Sequence, residues 1–145
     1  MIAVFISLMI AVGAGCAPRA ESGPVETTSI RLSVDQPRQG VRVPAAVAAA
    51  PPDSVTLAVT SINNPTRRAF LIRSELRVAG RPPIPLGVIA PFPADQPGRF
   101  ILAWSNVARR AGPDARLWLT LEPIRREEAG VIEADVSATW SAGPK

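Results

Sequence analysis

The sequence predicts an all-β protein, a single antiparallel β-sandwich of about seven short strands with an immunoglobulin-like general form. Three observations lead there. Sixteen prolines and ten glycines in 145 residues cut the chain into pieces too short for long helices. Apolar and polar side chains alternate with a period of two in several of those pieces, as half-buried strands require. The pieces recur at roughly 8–15 residue spacing with turn residues between them, the rhythm of a two-sheet protein.

The organising stretch is Ser54 to Gly80. Val55, Leu57 and Val59 point one way, and Thr56, Ala58 and Thr60 the other. After an Asn-Pro loop, Phe70, Ile72, Ser74, Leu76 and Val78 share a face opposite Arg73, Glu75 and Arg77. This reads as a hairpin in a sheet with one wet face. Ahead of it, Ile30 to Val34 forms a short first strand. Asp35 to Asp53 reads as an irregular crossing, with Val41 to Val43 adding briefly to an edge; Pro44, Pro51 and Pro52 bracket the alanine-rich run too closely for a stable helix. Beyond Gly80 the GRPPIP turn leads to a short apolar strand, Leu86 to Phe92, and PADQPG turns the chain again. Arg99 to Asn106 has apolar residues on both faces and is expected to be central. In Ala115 to Ile124, Leu117, Leu119 and Leu121 point inward and Arg116, Trp118, Thr120 and Glu122 outward. In Val131 to Trp140, Ile132, Ala134, Val136, Ala138 and Trp140 oppose Glu133, Asp135, Ser137 and Thr139. Burying such a set at about 1.5–3 kcal/mol per large side chain can sustain an independent domain, spanning 30–145.

Composition narrows the chemistry. There is no histidine and no tyrosine, and there is one cysteine. That removes the usual general base near neutral pH, histidine-dependent nucleophiles, histidine-ligated metals, an internal disulfide and paired-cysteine metal sites. No cofactor is expected. Two-carboxylate hydrolysis stays formally open and needs two acids about 5–9.5 Å apart in a cleft; Glu122, Glu133 and Asp135 are its candidates. The net charge is +4, and the pairs Arg67-Arg68, Arg109-Arg110 and Arg125-Arg126 fall in three separate loops. A nucleic-acid footprint would gather charge in a stripe with aromatics, so no nucleic-acid partner is expected. These pairs read as solvated loops, with contact to anionic lipid or polysaccharide as the rival. Asn64 is followed by Pro65, which spoils a glycosylation acceptor. Trp118, on the outward side of its strand, is either a partner contact or, if a second sheet covers that face, core. Trp104 and Trp140 read as core.

Residues Met1 to Ala14 are apolar or small except Ser7, a run too short to span a bilayer. The run ends in Val12-Gly13-Ala14-Gly15-Cys16, which resembles a bacterial lipobox, although Gly13 stands where Leu or Val is usual. The resemblance implies a signal peptide over 1–15, lipid on Cys16, and a flexible tether to residue 29. It places the protein in the cell envelope, on the outer membrane or cell surface, held by lipid on Cys16. Secretion without lipid, or periplasmic location, is the alternative.

From Ser54 to Ile124 the order of features is VTLAVTSINNPT, then Phe70-Leu71-Ile72, Phe92-Pro93, Gly98-Arg99-Phe100 and LWLTLEPI. It resembles the small β-domain following the copper domain in bacterial tyrosinases and plant polyphenol oxidases. In the plant enzymes' Lys-Phe-Asp-Val signature, Phe70 is matched and Ile72 stands for Val. The resemblance implies an accessory or cap domain, because the copper-binding histidines of that family have no counterpart here. The leading expectation is a non-enzymatic envelope lipoprotein whose sandwich binds or scaffolds another envelope protein. The oxidase accessory domain and the carboxylate hydrolase are its rivals.

Overall fold

The computed structural model describes residues 26–104, 108–125, 127 and 130–140, and it is a β-sandwich of two four-stranded antiparallel sheets. The expected signal segment, Cys16 and the tether as far as residue 25 lie outside the described residues. The strands are β1 (Glu26–Ser33), β2 (Arg38–Arg42), β3 (Ser54–Asn63), β4 (Phe70–Arg77), β5 (Ile84–Ile89), β6 (Gly98–Ala103), β7 (Arg116–Pro123) and β8 (Glu133–Trp140). The first sheet has the order β1-β8-β3-β6 and the second β2-β7-β4-β5.

That order follows one rule. β1 pairs with β8, β2 with β7, β3 with β6 and β4 with β5, all antiparallel. The chain is a long doubled ribbon rolled so that successive rungs alternate between sheets, which is the eight-stranded jelly-roll arrangement. The β-sandwich expected above is found with eight strands in place of about seven; the immunoglobulin-like general form expected with it carried no pairing order, because pairing order is not written in strand spacing. For the same reason β3 and β4 are not a hairpin. They lie in different sheets, and the Asn64–Ala69 segment crosses between them.

The buried alternation is as the sequence expects. Val55, Leu57 and Val59 of β3, Phe70, Ile72 and Leu76 of β4, Leu117, Leu119 and Leu121 of β7, and Ala134, Val136, Ala138 and Trp140 of β8 fill the space between the sheets. Trp104 and Trp140 are core. The one polar member of the β4 face, Ser74, is buried and donates to the Gly87 carbonyl at 2.9 Å, which offsets the desolvation of its hydroxyl.

Several elements differ from expectation. β1 begins at Glu26, so the last four residues assigned to the tether, Glu26 to Ser29, pair with β8 from Trp140 to Ser137. β2 is a full edge strand in register with β7. Between β2 and β3 the alanine run makes one short helix, α1 (Ala45–Ala49): Pro44 precedes its first turn, where a missing N–H costs nothing, and Val47 is buried under it. β6 is an edge strand and not central; its second apolar face is simply exposed, with Ile101 at 71%. β5 starts two residues earlier than expected and stops before Phe92, which stands almost fully exposed beside a cis Phe92–Pro93 bond.

The loops fall at two poles. One, the N-terminal pole, carries the start of β1, the end of β8, and the β2–β3, β4–β5 and β6–β7 connections. The opposite pole carries the remaining connections. There Asn64, 4% exposed, donates through Nδ2 to the carbonyls of Arg68 (2.8 Å) and Ala94 (3.0 Å) and accepts from the Arg68 N–H (3.1 Å). One side chain therefore ties two crossing loops together.

Candidate functional site

The outer face of the second sheet collects the site-like residues. Register builds it in rungs across β2, β7 and β4: Arg38–Thr120–Arg73, then Gly40–Trp118–Glu75, then Arg42–Arg116–Arg77. Directly opposed residues on neighbouring strands share a face and stand about 4.5–5.5 Å apart at Cβ.

Trp118 is the centre of this surface. The opposite sheet packs on the other side of β7, against Leu117, Leu119 and Leu121, so Trp118 is not interior core; it is half-buried on the outside. Gly40 makes room for its ring. A Cβ at position 40 would lie 2.6 Å from Cε2 and 2.7 Å from Cδ2 of the indole, so the ring lies where a side chain would otherwise stand. From above, the Arg38 guanidinium sits 4.8 Å from the ring centroid, a cation–π contact of about 0.5–1 kcal/mol at an exposed site.

Carboxylates hold those arginines. Arg38 and Arg77 both donate to Oε1 of Glu75, at 2.5 and 2.7 Å. One rung away, Arg73 makes a two-pronged pair with Glu122 at 2.9 and 3.0 Å, and this hydrogen bond raises the Arg73 pKa. Trp118 therefore sits in a lattice of planar cations fixed by two acids. The surface offers stacking area and hydrogen-bond donors in a fixed orientation, the properties of a contact anchor. Sequence reading found Trp118 by its outward position. It missed Gly40, Arg38 and Glu75 as its neighbours, because their meeting depends on the register of β2 against β7 and of β7 against β4.

The three carboxylates considered for hydrolysis are divided. Glu122 is on the outer face of the second sheet, whereas Glu133 and Asp135 are on the outer face of the first. Glu133 accepts from Asn63 (3.1 Å) and Arg31 (3.3 Å), which together hold its carboxyl below the ordinary glutamate range. Asp135 accepts from the Ser61 hydroxyl at 2.6 Å. Among the described residues, no group of three His, Cys, Asp or Glu side chains is placed to hold a metal ion. At the opposite pole Thr66, Arg67, Arg68, Ala69, Ile124 and Arg125 line a shallow, open pocket of about 320 Å³. Arg67 is bonded there to Asp95 at 2.7 Å.

Comparison with protein-family models, with curated proteins and with solved structures finds no match to this chain.

Proposed function

We propose that this chain is a non-enzymatic cell-envelope lipoprotein, anchored through lipid on Cys16, whose jelly-roll domain binds or scaffolds another envelope protein through the outer face of its second sheet. The lipobox-like Gly15-Cys16 supports the anchor. The observation that carries the binding role is Trp118, an aromatic held half-exposed on an outer sheet face by Gly40 beneath it and Arg38 above it. An indole fixed in this way loses little side-chain freedom when a partner covers it, and interface energy concentrates on such residues.

The test is a mild cross-link and pull-down of the tagged protein from its native membranes, with mass spectrometry of partners and of the Cys16 N-terminus. A Trp118→Ala form should keep its lipid and lose the partner. An unchanged partner set would remove Trp118 from the interface, and a mature N-terminus that is unmodified or lies beyond Cys16 would remove the anchor. Copper in the captured partner would transfer the assignment to an oxidase accessory domain.

A further inference from the structure

The charges of the domain are unevenly distributed between its two poles. At the N-terminal pole, among the described residues, stand Arg42, Arg77, Arg81, Arg109, Arg110 and Arg116, against the carboxylates Glu26, Asp53, Glu75 and Asp114. At the opposite pole, among the described residues, Arg31, Arg38, Arg67, Arg68, Arg73, Arg99 and Arg125 stand against Asp35, Asp95, Glu122, Glu127, Glu133 and Asp135. Among the described residues the larger excess is therefore at one end, the end from which the chain continues back toward Cys16.

Part of that excess is built against local stability. Arg42, Arg116 and Arg77 are directly opposed on three adjacent strands, so three guanidinium groups share one rung. Like charges in directly opposed positions destabilise a sheet. Arg77 shares the Glu75 carboxylate with Arg38, but among the described residues no carboxylate is bonded to Arg42 or Arg116, and both are exposed. Arg109 is paired with Asp53, and the Arg81 guanidinium donates to the Arg110 carbonyl at 3.4 Å.

We infer that this pole is a docking surface for an anionic lipid bilayer, with the Arg42–Arg116–Arg77 rung and the Arg81 and Arg110 loops facing headgroup phosphates. The inference deepens the envelope reading above and rests on it for a bilayer beside this end of the domain. Cys16 lies ten residues before Glu26, a leash of at most about 35 Å when fully extended. A basic surface is drawn to an anionic leaflet only within a Debye length, about 8–10 Å at physiological salt. The leash lets the pole come within reach of that field, and there the field gives the unmatched arginines the counter-charge that the domain withholds.

The test uses the full chain carrying Cys16→Ser, so that no acyl chain forms, and phosphatidylcholine vesicles with and without phosphatidylglycerol. The quantity read is the ratio of binding to anionic over neutral vesicles, in which the charge-independent contribution of the apolar N-terminus cancels. The ratio should be well above one at low salt and fall as salt is added. Arg42→Gln/Arg77→Gln/Arg116→Gln should lower it about five-fold per arginine, on the order of a hundred-fold in all. Arg67→Gln/Arg68→Gln/Arg99→Gln at the opposite pole should leave it nearly unchanged. Should the strand variant lose its fold by tryptophan fluorescence, Arg81→Gln/Arg110→Gln, in loops, should still lower the ratio. A wild-type ratio near one, or equal losses from the two triple variants, overturns the inference. An unlipidated Cys16 in the native protein would retire the anchor while a high, pole-dependent ratio would keep the bilayer surface.

Discussion

Replacing Gly40 by alanine tests whether the position of Trp118 is set from below. The new methyl would lie 2.6, 2.7 and 3.0 Å from Cε2, Cδ2 and Cζ2 of the indole. Carbon atoms settle at about 3.5–4.0 Å, so the ring must retreat by roughly 1 Å. Such a shift would disturb the stacking of the Arg38 guanidinium, now 4.8 Å from the ring centroid. Overpacking of this kind costs about 1–3 kcal/mol, with the lower end apt for a ring that is half exposed. Loss of the cation–π contact adds about 0.5–1 kcal/mol, and the smaller freedom of the unfolded alanine chain returns about 0.4–1 kcal/mol. The balance is a destabilisation of about 1–2 kcal/mol. A Trp118→Ala background removes the three atoms nearest the methyl, and Gly40→Ala should then stabilise by about 0.4–1 kcal/mol. The assay is urea unfolding followed by the fluorescence of the buried Trp104 and Trp140, with the two single variants and the double variant closing a cycle. Reversal of sign between the two backgrounds is the expected outcome. If Gly40→Ala stabilises the protein with Trp118 in place, or costs the same with and without it, then the glycine is not what positions the ring.

Two further outcomes follow from the hydrogen bonds. Asn64→Asp turns a carboxylate toward the carbonyls of Arg68 and Ala94, so two donor bonds become repulsions; about 2–4 kcal/mol should be lost at neutral pH. Part of the loss should return in acid as the new carboxyl gains a proton, whereas pH-independent damage would argue that the loop rather than the amide is at fault. For Glu133 the folded pKa is depressed, first by Asn63 and then by Arg31, so its contribution is present above the ordinary glutamate range and fades as pH falls through the lower folded value. Asn63→Ala should move that pKa upward in an NMR titration of the carboxyl, and an unmoved pKa would leave Arg31 as the sole cause.

What the sequence discloses here is orientation, and what it conceals is neighbourhood. Period-two alternation placed Leu117, Leu119, Leu121, Ala134, Val136 and Trp140 inside, because burial of alternate Cβ atoms is a local property of a strand. It also put Arg73, Glu75, Arg77 and Trp118 outside. Whether β3 turned back on itself or crossed to another sheet depends on pairings up to a hundred residues apart, and an Asn-Pro loop serves either. The mistaken centrality of β6 has the same origin: Ile101 faces water beside Thr56, and an exposed isoleucine reads in sequence like a buried one. The arginine rung was hidden because Arg42, Arg77 and Arg116 are far apart in sequence and become neighbours only through register. Of the pairs that adjacency made conspicuous, Arg109-Arg110 is at the pole of that rung and Arg67-Arg68 at the other.

The doubled-ribbon pairing has a consequence for when this domain can come into being. Of the described strands β8 is the last made, yet it lies between β1 and β3 and is the partner of both. Until it arrives, β1 has no neighbour in its sheet, and one face of the core lacks Val136, Ala138 and Trp140. Closing the first sheet means joining residues more than a hundred positions apart, so folding is governed by late, long-range contacts and belongs to the slow class of all-β domains. A chain with this order gains little from early partial structure. Each newly synthesised copy stays open until Trp140 has been made, which keeps it threadable and exposes unpaired strand edges over that interval.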